Sequence, residues 1–231
     1  MKVGIMQPYF MPYIGYFQLM KAVDKYVVYN DVNYTKNGWV ARNNILVDKQ
    51  KHLFSINLQG ASQNKHFTDI QIGDDFKKLI KTLEYNYSKA PFFNSVMELM
   101  NTILSFPNKR LDLFLSNSFK LILSYLDIQT ELILSSDIEK DNSLKGTDKI
   151  LEICKKLDAD TYYNAIGGQE LYDREVFRNH NIALHFVQTD ANLSYRQFNH
   201  MTFVPNLSII DILMFNSPLE TNRLLDQYKL I

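Results

Sequence analysis

Two short stretches of this 231-residue chain concentrate the residue types that could bind a ligand or do chemistry. The first is QPYFMPYIGYF at residues 7–17, which holds two prolines, a glycine and five aromatic residues directly after an apolar run. Pro8 and Pro12 fix backbone angles and stiffen the loop, while Gly15 lets a ligand or another backbone approach closely. Such a loop suits the wall of a pocket for a flat or sugar-like ligand, although it could equally be a rigid turn that packs its rings into the core.

The second stretch is NDVNYTKNGWVARNN at residues 30–44, which mixes charged, amide and aromatic side chains. Lys36 and Arg42 could bind phosphate, and arginine can do so through two parallel hydrogen bonds. Asp31 could orient one of these cations or accept a proton as a base. Trp39 could stack on a base or on the face of a sugar. The alternative is a solvated loop with one salt bridge, but the position beside the first stretch favours a function.

The hydrophobic pattern predicts a single α/β domain over residues 1–231, with a parallel-sheet, Rossmann-like core. Residues 3–6 and 26–29 are apolar throughout, as is typical of parallel strands that are covered on both faces. An antiparallel hairpin at 43–57 and a helical insertion at about 74–126, divided by prolines into about three helices, interrupt this core. Further elements are predicted as strands at 132–134, 161–163 and 182–187, and as helices at 16–23, 147–157, 170–179 and from 208 onward, with Thr147 as a cap and a break at Pro218.

Open parallel sheets bind ligands beyond the carboxyl ends of their strands. Because the two stretches follow the first two predicted strands, we expect them to form one pocket. Gly167-Gly168, after the fourth predicted strand, could present backbone N–H groups to an anion, but this pair is also an ordinary turn. Ser208 and Asp211 have the spacing of a helix capping box, which favours a structural role for both.

Composition narrows the classes of function. Twenty-five basic residues balance twenty-five acidic ones, which argues against a nucleic-acid partner. No glycine-rich dinucleotide fingerprint, P-loop or Gly-x-Ser-x-Gly motif is present. Cys154, the single cysteine, lies on an apolar helix face and is predicted to be core. The histidines lack metal-ligand spacing, so zinc is not expected; they are His52, His66, His180, His185 and His200.

The chain also lacks the marks of export. A single cysteine cannot form an intrachain disulfide, and the N-terminal apolar run is soon broken by Gln7 and Pro8. No run reaches the ~18 apolar residues of a membrane-spanning helix. We therefore expect a cytoplasmic protein without a transmembrane segment. The oligomeric state does not follow from the sequence.

Taken together, these segments resemble the WbqC-like protein family, and the resemblance spans essentially the whole chain. In the C-terminal half it continues through residues 157–163 and the LSIID segment at 207–211. Asn164-Ala165-Ile166 stands where the family commonly has a Ser-Gly pair. The other matching positions are Gln7-Pro8, Gly15-Tyr16-Phe17, residues 31–36, Trp39, Arg42-Asn43, Tyr195 and Gln197.

The family is found with genes for bacterial surface polysaccharide and O-antigen assembly, so the resemblance implies a role in making a lipopolysaccharide or a similar glycan. The implied activity is a transferase that adds an aminoacyl or acyl group to the amine of a nucleotide-linked amino sugar. The cofactor is not defined; an activated acyl donor or ATP could serve. Two alternatives remain open: a nucleotidyltransferase-like enzyme that uses ATP, although residues 9–17 lack its usual histidine pair, and a non-catalytic protein that binds sugar nucleotides.

The resemblance also implies roles for particular residues. Asp31 would take the proton from the attacking amine, with Asp211 as a second candidate base. Lys36 and Arg42 would neutralise a phosphate or an acyl phosphate. The predicted substrate contacts are Gln7, Pro8, Tyr13, Gly15, Tyr16, Trp39, Asn43, Asn164, Gln197 and Ser208.

Overall fold

A computed structural model describes residues 1–36, 38–198 and 202–231. The strands in chain order are β1 (Lys2–Met6), β2 (Lys25–Val28), β3 (Arg42–Val47), β4 (Gln50–Ser55), β5 (Leu58–Gln59), β6 (Gln71–Ile72), β7 (Glu131–Leu134), β8 (Thr161–Ala165), β9 (Ala183–Thr189) and β10 (Tyr228–Leu230). The α-helices are α1 (Ile14–Lys21), α2 (Lys77–Tyr87), α3 (Phe93–Leu104), α4 (Leu111–Tyr125), α5 (Gly146–Lys156), α6 (Arg174–Arg178), α7 (Ile209–Phe215) and α8 (Pro218–Leu225).

Among the described residues, six strands form the central sheet in the order β10-β9-β8-β1-β2-β7. All neighbours are parallel except β10, which pairs with β9 in the antiparallel direction. The hairpin of β3 and β4 stands apart from this sheet, as does the short pair β5 and β6. This arrangement confirms the predicted α/β class, with its parallel core, antiparallel hairpin and helices within 74–126.

The sheet separates two hydrophobic cores, which explains why residues 3–6 of β1 and 26–28 of β2 are apolar throughout. Tyr26 and Val28 of β2 share one core with α1–α4, α7 and α8. Val3 and Ile5 of β1, together with Val27 of β2, share the other with α5 and α6. Alternating residues of one strand therefore enter opposite cores, and both sets must be apolar.

The strand order places a topological switch beside β1. From β1 the chain moves outward through β2 to β7, and it then returns to lay β8 against the other edge of β1. Ligand sites in doubly wound sheets lie beyond the carboxyl ends of the strands around such a point. The loop after β1 is therefore placed where the fold class favours binding.

Four details differ from the sequence prediction. α5 begins at Gly146 after Lys145, which makes no capping hydrogen bond, so Thr147 lies inside the helix and the predicted Thr147 cap is wrong. The predicted helix 170–179 is a 3-10 helix, Ile166–Leu171, followed by the short α6, which Asp173 caps. Ser208 caps α7 through Ile210 N at 3.3 Å, but Asp211 does not complete a capping box. β10 was not predicted. None of the described helices is long and apolar enough to cross a membrane.

Candidate functional site

The aromatic loop after β1 divides its rings between the core and a cavity. Phe10 is fully buried and packs against Phe54 and Phe114, each with a ring-centroid distance of 6.1 Å. Tyr16 is also buried, and its hydroxyl donates to the carbonyl of Gln7. These two rings pack the loop against the core, whereas Tyr9 and Tyr13 are only partly buried. The rigid turn and the pocket wall therefore coexist in one segment.

Two polar side chains hold the loop in position from distant parts of the chain. Met11 has a φ of +46°, a conformation that costs energy for a residue other than glycine. Its carbonyl oxygen accepts hydrogen bonds from Asn43 Nδ2 and from Ser208 Oγ, each at 2.7 Å. Pro12 O also accepts from Ile209 N at 2.8 Å. Asn43 and Ser208 thus fix the loop geometry from β3 and from the start of α7.

Tyr9 and Tyr13 are half-buried and open onto a cavity of about 330 Å³, which we call the aromatic pocket. Trp39, which is 48% exposed, forms part of its wall. The Arg42 guanidinium lies 5.6 Å from the centre of the Trp39 ring. Aromatic faces beside amide and ammonium groups suit a ligand with an apolar face and several polar edges. The described residues of the lining are Tyr9, Pro12, Tyr13, Trp39, Asn43, Asn44, Lys51 and Asn206.

Gly15 supports this pocket because it leaves space for the Tyr13 ring. A Cβ atom at residue 15 would lie 2.5 Å from Tyr13 Cε2, well inside contact distance. We expect Gly15→Ala to displace the ring into the pocket while changing the free energy of unfolding by no more than about 1 kcal/mol, the range of the Gly-to-Ala helix preference. The emission maximum of Trp39, the single tryptophan, should shift.

Gly167→Ala is the matched control, since a Cβ there would meet nothing within 4 Å. It should leave both the emission and the melting temperature unchanged. Unchanged emission in Gly15→Ala would show that Tyr13 does not need this space.

A second cavity, of about 650 Å³, lies beyond the carboxyl ends of β2 and β7; we call it the Asp31 cavity. The Asp31 carboxylate forms ion pairs with Lys140 Nζ at 2.8 Å and with Lys149 Nζ at 3.1 Å, and it accepts from the Ser135 hydroxyl. Burial by itself raises the pKa of Asp31, but these three donors outweigh burial and hold the pKa below its usual value. Among the described residues, the lining consists of Tyr29, Asp31, Val32, Asn33, His66, Ser136, Asn142, Leu144, Lys145, Gly146 and Lys149.

A buried polar network fixes the two strand ends that carry this cavity. Asn30 Nδ2 donates to the Asp112 carboxylate at 2.8 Å, and Asn30 Oδ1 accepts from Ser136 N at 3.0 Å. Arg110 binds Asp112 through two hydrogen bonds of 2.9 and 2.8 Å. β2, β7 and α4 are therefore tied together directly behind Asp31.

Asp211 lies in neither cavity wall. It is fully buried at the start of α7, where its carboxylate accepts from Tyr87 at 2.8 Å, from Tyr195 at 2.6 Å and from Gln197 at 2.8 Å. Burial raises the pKa of Asp211 above its usual value, although these hydrogen bonds partly oppose the shift. Gln197 Oε1 also accepts from Val204 N at 2.8 Å. This geometry is that of a network that stabilises the fold.

The structure brings some of the predicted site residues together and separates others. Tyr13, Trp39 and Asn43 share the aromatic pocket, and Arg42 contacts it through Trp39. Asp31 lines the Asp31 cavity instead, so the two stretches contribute to two separate cavities. Lys36 is exposed on the loop that follows β2.

The remaining predicted contacts lie outside the described linings of both cavities. Pro8 is buried in the loop after β1. Gln7 Oε1 accepts a long hydrogen bond of 3.4 Å from Thr35. Asn164 is buried at the end of β8, where it donates to the Tyr162 hydroxyl at 2.7 Å and accepts from Ala165 N at 2.7 Å. Its position is next to the topological switch, but its amide is used internally.

Sequence reasoning missed several residues that line or organise the two cavities. Lys140 and Ser135 follow β7, so the rule that ligands bind beyond strand ends could have found them. Lys149 lies one turn into α5 and gave no comparable signal. Tyr9 and Lys51 were passed over because the first stretch is rich in tyrosine and the hairpin in lysine.

Within residues 1–36, 38–198 and 202–231, no three His, Cys, Asp or Glu side chains are grouped so that they could hold a metal ion. His200 lies outside the described residues. Cys154 is fully buried, as predicted for a core residue, and burial raises its pKa to about 12. A thiol in that state is an inert packing group at neutral pH.

Comparison with known proteins places the chain in a family. The sequence profile of the WbqC-like protein family matches residues 7–223. The uncharacterized protein Rv1507c of Mycobacterium tuberculosis is 30% identical to the chain over 223 residues, which cover 92% of each chain. No solved structure matches the chain significantly. Because the profile covers nearly the whole chain, including the residues that line both cavities, the chain belongs to the WbqC-like protein family.

Proposed function

We propose that this protein transfers an acyl or aminoacyl group to the amine of a nucleotide-linked amino sugar during assembly of a bacterial surface polysaccharide. The aromatic pocket, with Trp39 and Tyr13 in its wall beside amide groups, is the observation that carries this proposal. A volume of about 330 Å³ lies at the lower end of the range for small-ligand sites, which suits a single sugar ring. The association of the family with glycan assembly supports the same class of substrate.

In this proposal the aromatic pocket holds the sugar. The apolar face of the ring packs on Trp39 or Tyr13, and its hydroxyl groups meet the amides of Asn44 and Asn206. The Asn43 amide is committed to the loop, because its two ends bind Met11 O and Asn44 N. Asn43 therefore shapes the pocket, whereas the other amides supply specificity.

The proposed reaction is amide formation. The amine nitrogen of the sugar attacks the acyl carbonyl carbon and a C–N bond forms. The bond from that carbon to the leaving group breaks, and the leaving group departs with the electron pair and takes up the proton that the amine loses. Arg42, which is stacked on Trp39, is the cation that we assign to negative charge on the donor or its leaving group. The lowered pKa of Asp31 makes it a weak base, so we assign it to orienting Lys140 and Lys149.

A ligand screen with Trp39→Ala tests the sugar site. We expect a nucleotide-linked amino sugar to raise the melting temperature of the native protein through mass action. Trp39→Ala should weaken that binding by about tenfold or more, as loss of an aromatic anchor commonly does. The sugar nucleotide is then incubated with the native protein and candidate acyl donors, and mass spectrometry checks whether an acyl group has been added to it.

Tyr85→Ala is the matched control, since Tyr85 is 81% exposed on α2 and lies outside the aromatic pocket. It should bind the sugar nucleotide as the native protein does. Equal binding by Trp39→Ala would remove the proposed sugar site. A response to ATP with Mg²⁺ and to none of the sugars would instead favour an ATP-dependent activating enzyme.

A further inference from the structure

More positive than negative charge is buried in and directly behind the wall of the Asp31 cavity. The side chains of Lys140 and Lys149 are only 1% and 7% exposed. Among the described residues, both ammonium groups form their ion pairs with the same carboxylate, that of Asp31. Two buried cations share one anion, which leaves an excess of one positive charge. Buried charge is costly unless it is paired, so this arrangement favours a further anion.

The excess charge is accessible from the cavity. Lys149 forms part of the cavity wall, and its Nζ also contacts Asp31 O at 2.9 Å and the face of Tyr29 at 5.4 Å from the ring centre. Lys140 lies behind, where it also donates to the Ser135 and Ile138 carbonyls. An anion in the cavity would therefore contact Lys149 rather than Lys140, whose charge behind the wall adds to the positive potential.

Other groups in the cavity wall add to this positive charge. Lys145 is exposed at the cavity and adds a second accessible ammonium group. α5 begins at Gly146, also in the wall, so the positive end of an 11-residue helix dipole adds to the lysines. His66 also lines the cavity. The one acidic residue among the described lining is Asp31, which is already shared by two lysines.

We propose that the Asp31 cavity binds a phosphate or diphosphate group. Lys149 and Lys145 contact the anion, while Asp31 and Lys140 position Lys149. Lysine acts as a point charge toward phosphate, and the volume of about 650 Å³ leaves room for more than one phosphoryl group. This inference deepens the proposed function, because UDP-, GDP- and dTDP-linked sugars carry a diphosphate. Its evidence, however, is the charge around this cavity alone.

The test uses inorganic pyrophosphate as the first probe and UDP as the second, at constant ionic strength. Isothermal titration calorimetry with the full chain should show saturable binding of pyrophosphate. Lys149→Gln and Lys145→Gln should each weaken it at least tenfold. Lys145 is exposed, so its variant keeps the test valid if Lys149→Gln does not fold. Lys155→Gln removes an exposed charge from the same helix outside the cavity and should bind normally.

Each result has a definite meaning. Equal weakening by Lys155→Gln would show diffuse attraction to surface charge and overturn the proposed site. Binding of UDP without binding of pyrophosphate would also overturn it, because recognition would then come from the nucleoside. Pyrophosphate binding that persists in Trp39→Ala would support the site even if the sugar proposal fails, so the two proposals can be separated.

Discussion

Asp31→Ala should lower the free energy of unfolding by about 3–5 kcal/mol, the usual cost of removing one partner from a buried ion pair. Asp31 is the shared partner of Lys140 and Lys149, at 2.8 and 3.1 Å, so its loss leaves two buried ammonium groups without a carboxylate. The Ser135 hydroxyl would lose an acceptor as well. Denaturant unfolding, compared at the midpoint and slope of the transition, measures the change.

Asp137→Ala is the control for this substitution, because Asp137 is an exposed acid in the 3-10 turn that follows β7. It should change stability by no more than about 0.5 kcal/mol. If the anion site exists, pyrophosphate should stabilise Asp31→Ala more than the native protein, since it would restore part of the missing negative charge. A loss as small as that of Asp137→Ala would mean that the lysines do not depend on Asp31.

Asp211→Ala should also be strongly destabilising, by about 3–5 kcal/mol, because buried donors left without an acceptor cost about 1–3 kcal/mol each. The donors are Tyr87, Tyr195 and Gln197. Tyr195→Phe removes one of them and keeps the carboxylate, so it should cost about 1 kcal/mol. Thermal and denaturant unfolding of both variants give this comparison. Similar losses in the two variants would show that the carboxylate is not the centre of the network.

The raised pKa of Asp211 adds a dependence on pH whose sign can be tested. The folded protein holds the Asp211 proton more tightly than the unfolded chain does, so the contribution of Asp211 to stability falls as the pH rises from its usual pKa of 3.8 through the raised value. Asp211→Asn does not titrate. The stability of the native protein relative to Asp211→Asn should therefore decline as the pH rises through this window. A relative stability that increases with pH would mean that the pKa of Asp211 is lowered.

The parts of the fold that the sequence predicts are those with strong local patterns. β1 and β2 were found because each is buried on both faces and therefore apolar throughout. β10 was missed because it has three residues, of which Lys229 and Leu230 are exposed at the edge of the sheet. Such a strand exists through its pairing with β9 rather than through any pattern of its own. The start of α5 was misplaced because no side chain caps that helix.

The candidate site also has residues whose position the sequence predicts and residues whose position it does not. The position of Tyr13 and Trp39 beyond strand ends follows from the sequence, because both lie within short loops after predicted strands. The contact of Lys149 with Asp31 does not follow from the sequence, because Lys149 is 118 residues away and lies on α5, in the crossover from β7 to β8. The spacing of Asp211 predicts a helix cap, and the family resemblance implies a base. Only the tertiary packing shows that Tyr87 and Tyr195 surround it.

The central position of β1 has a consequence for how the protein is made. Among the described strands β1 is synthesised before the others, and it pairs with both β2 and β8, with Val3 opposite Lys25 on one side and Tyr162 on the other. The aromatic loop reaches its final conformation later still, because the Met11 carbonyl accepts a hydrogen bond from Ser208, which is 197 residues later in the chain. Contacts between such distant segments form slowly and leave apolar strands uncovered meanwhile. The aromatic pocket is therefore assembled late, and a nascent chain that stops short of residue 208 lacks the hydroxyl that sets its shape.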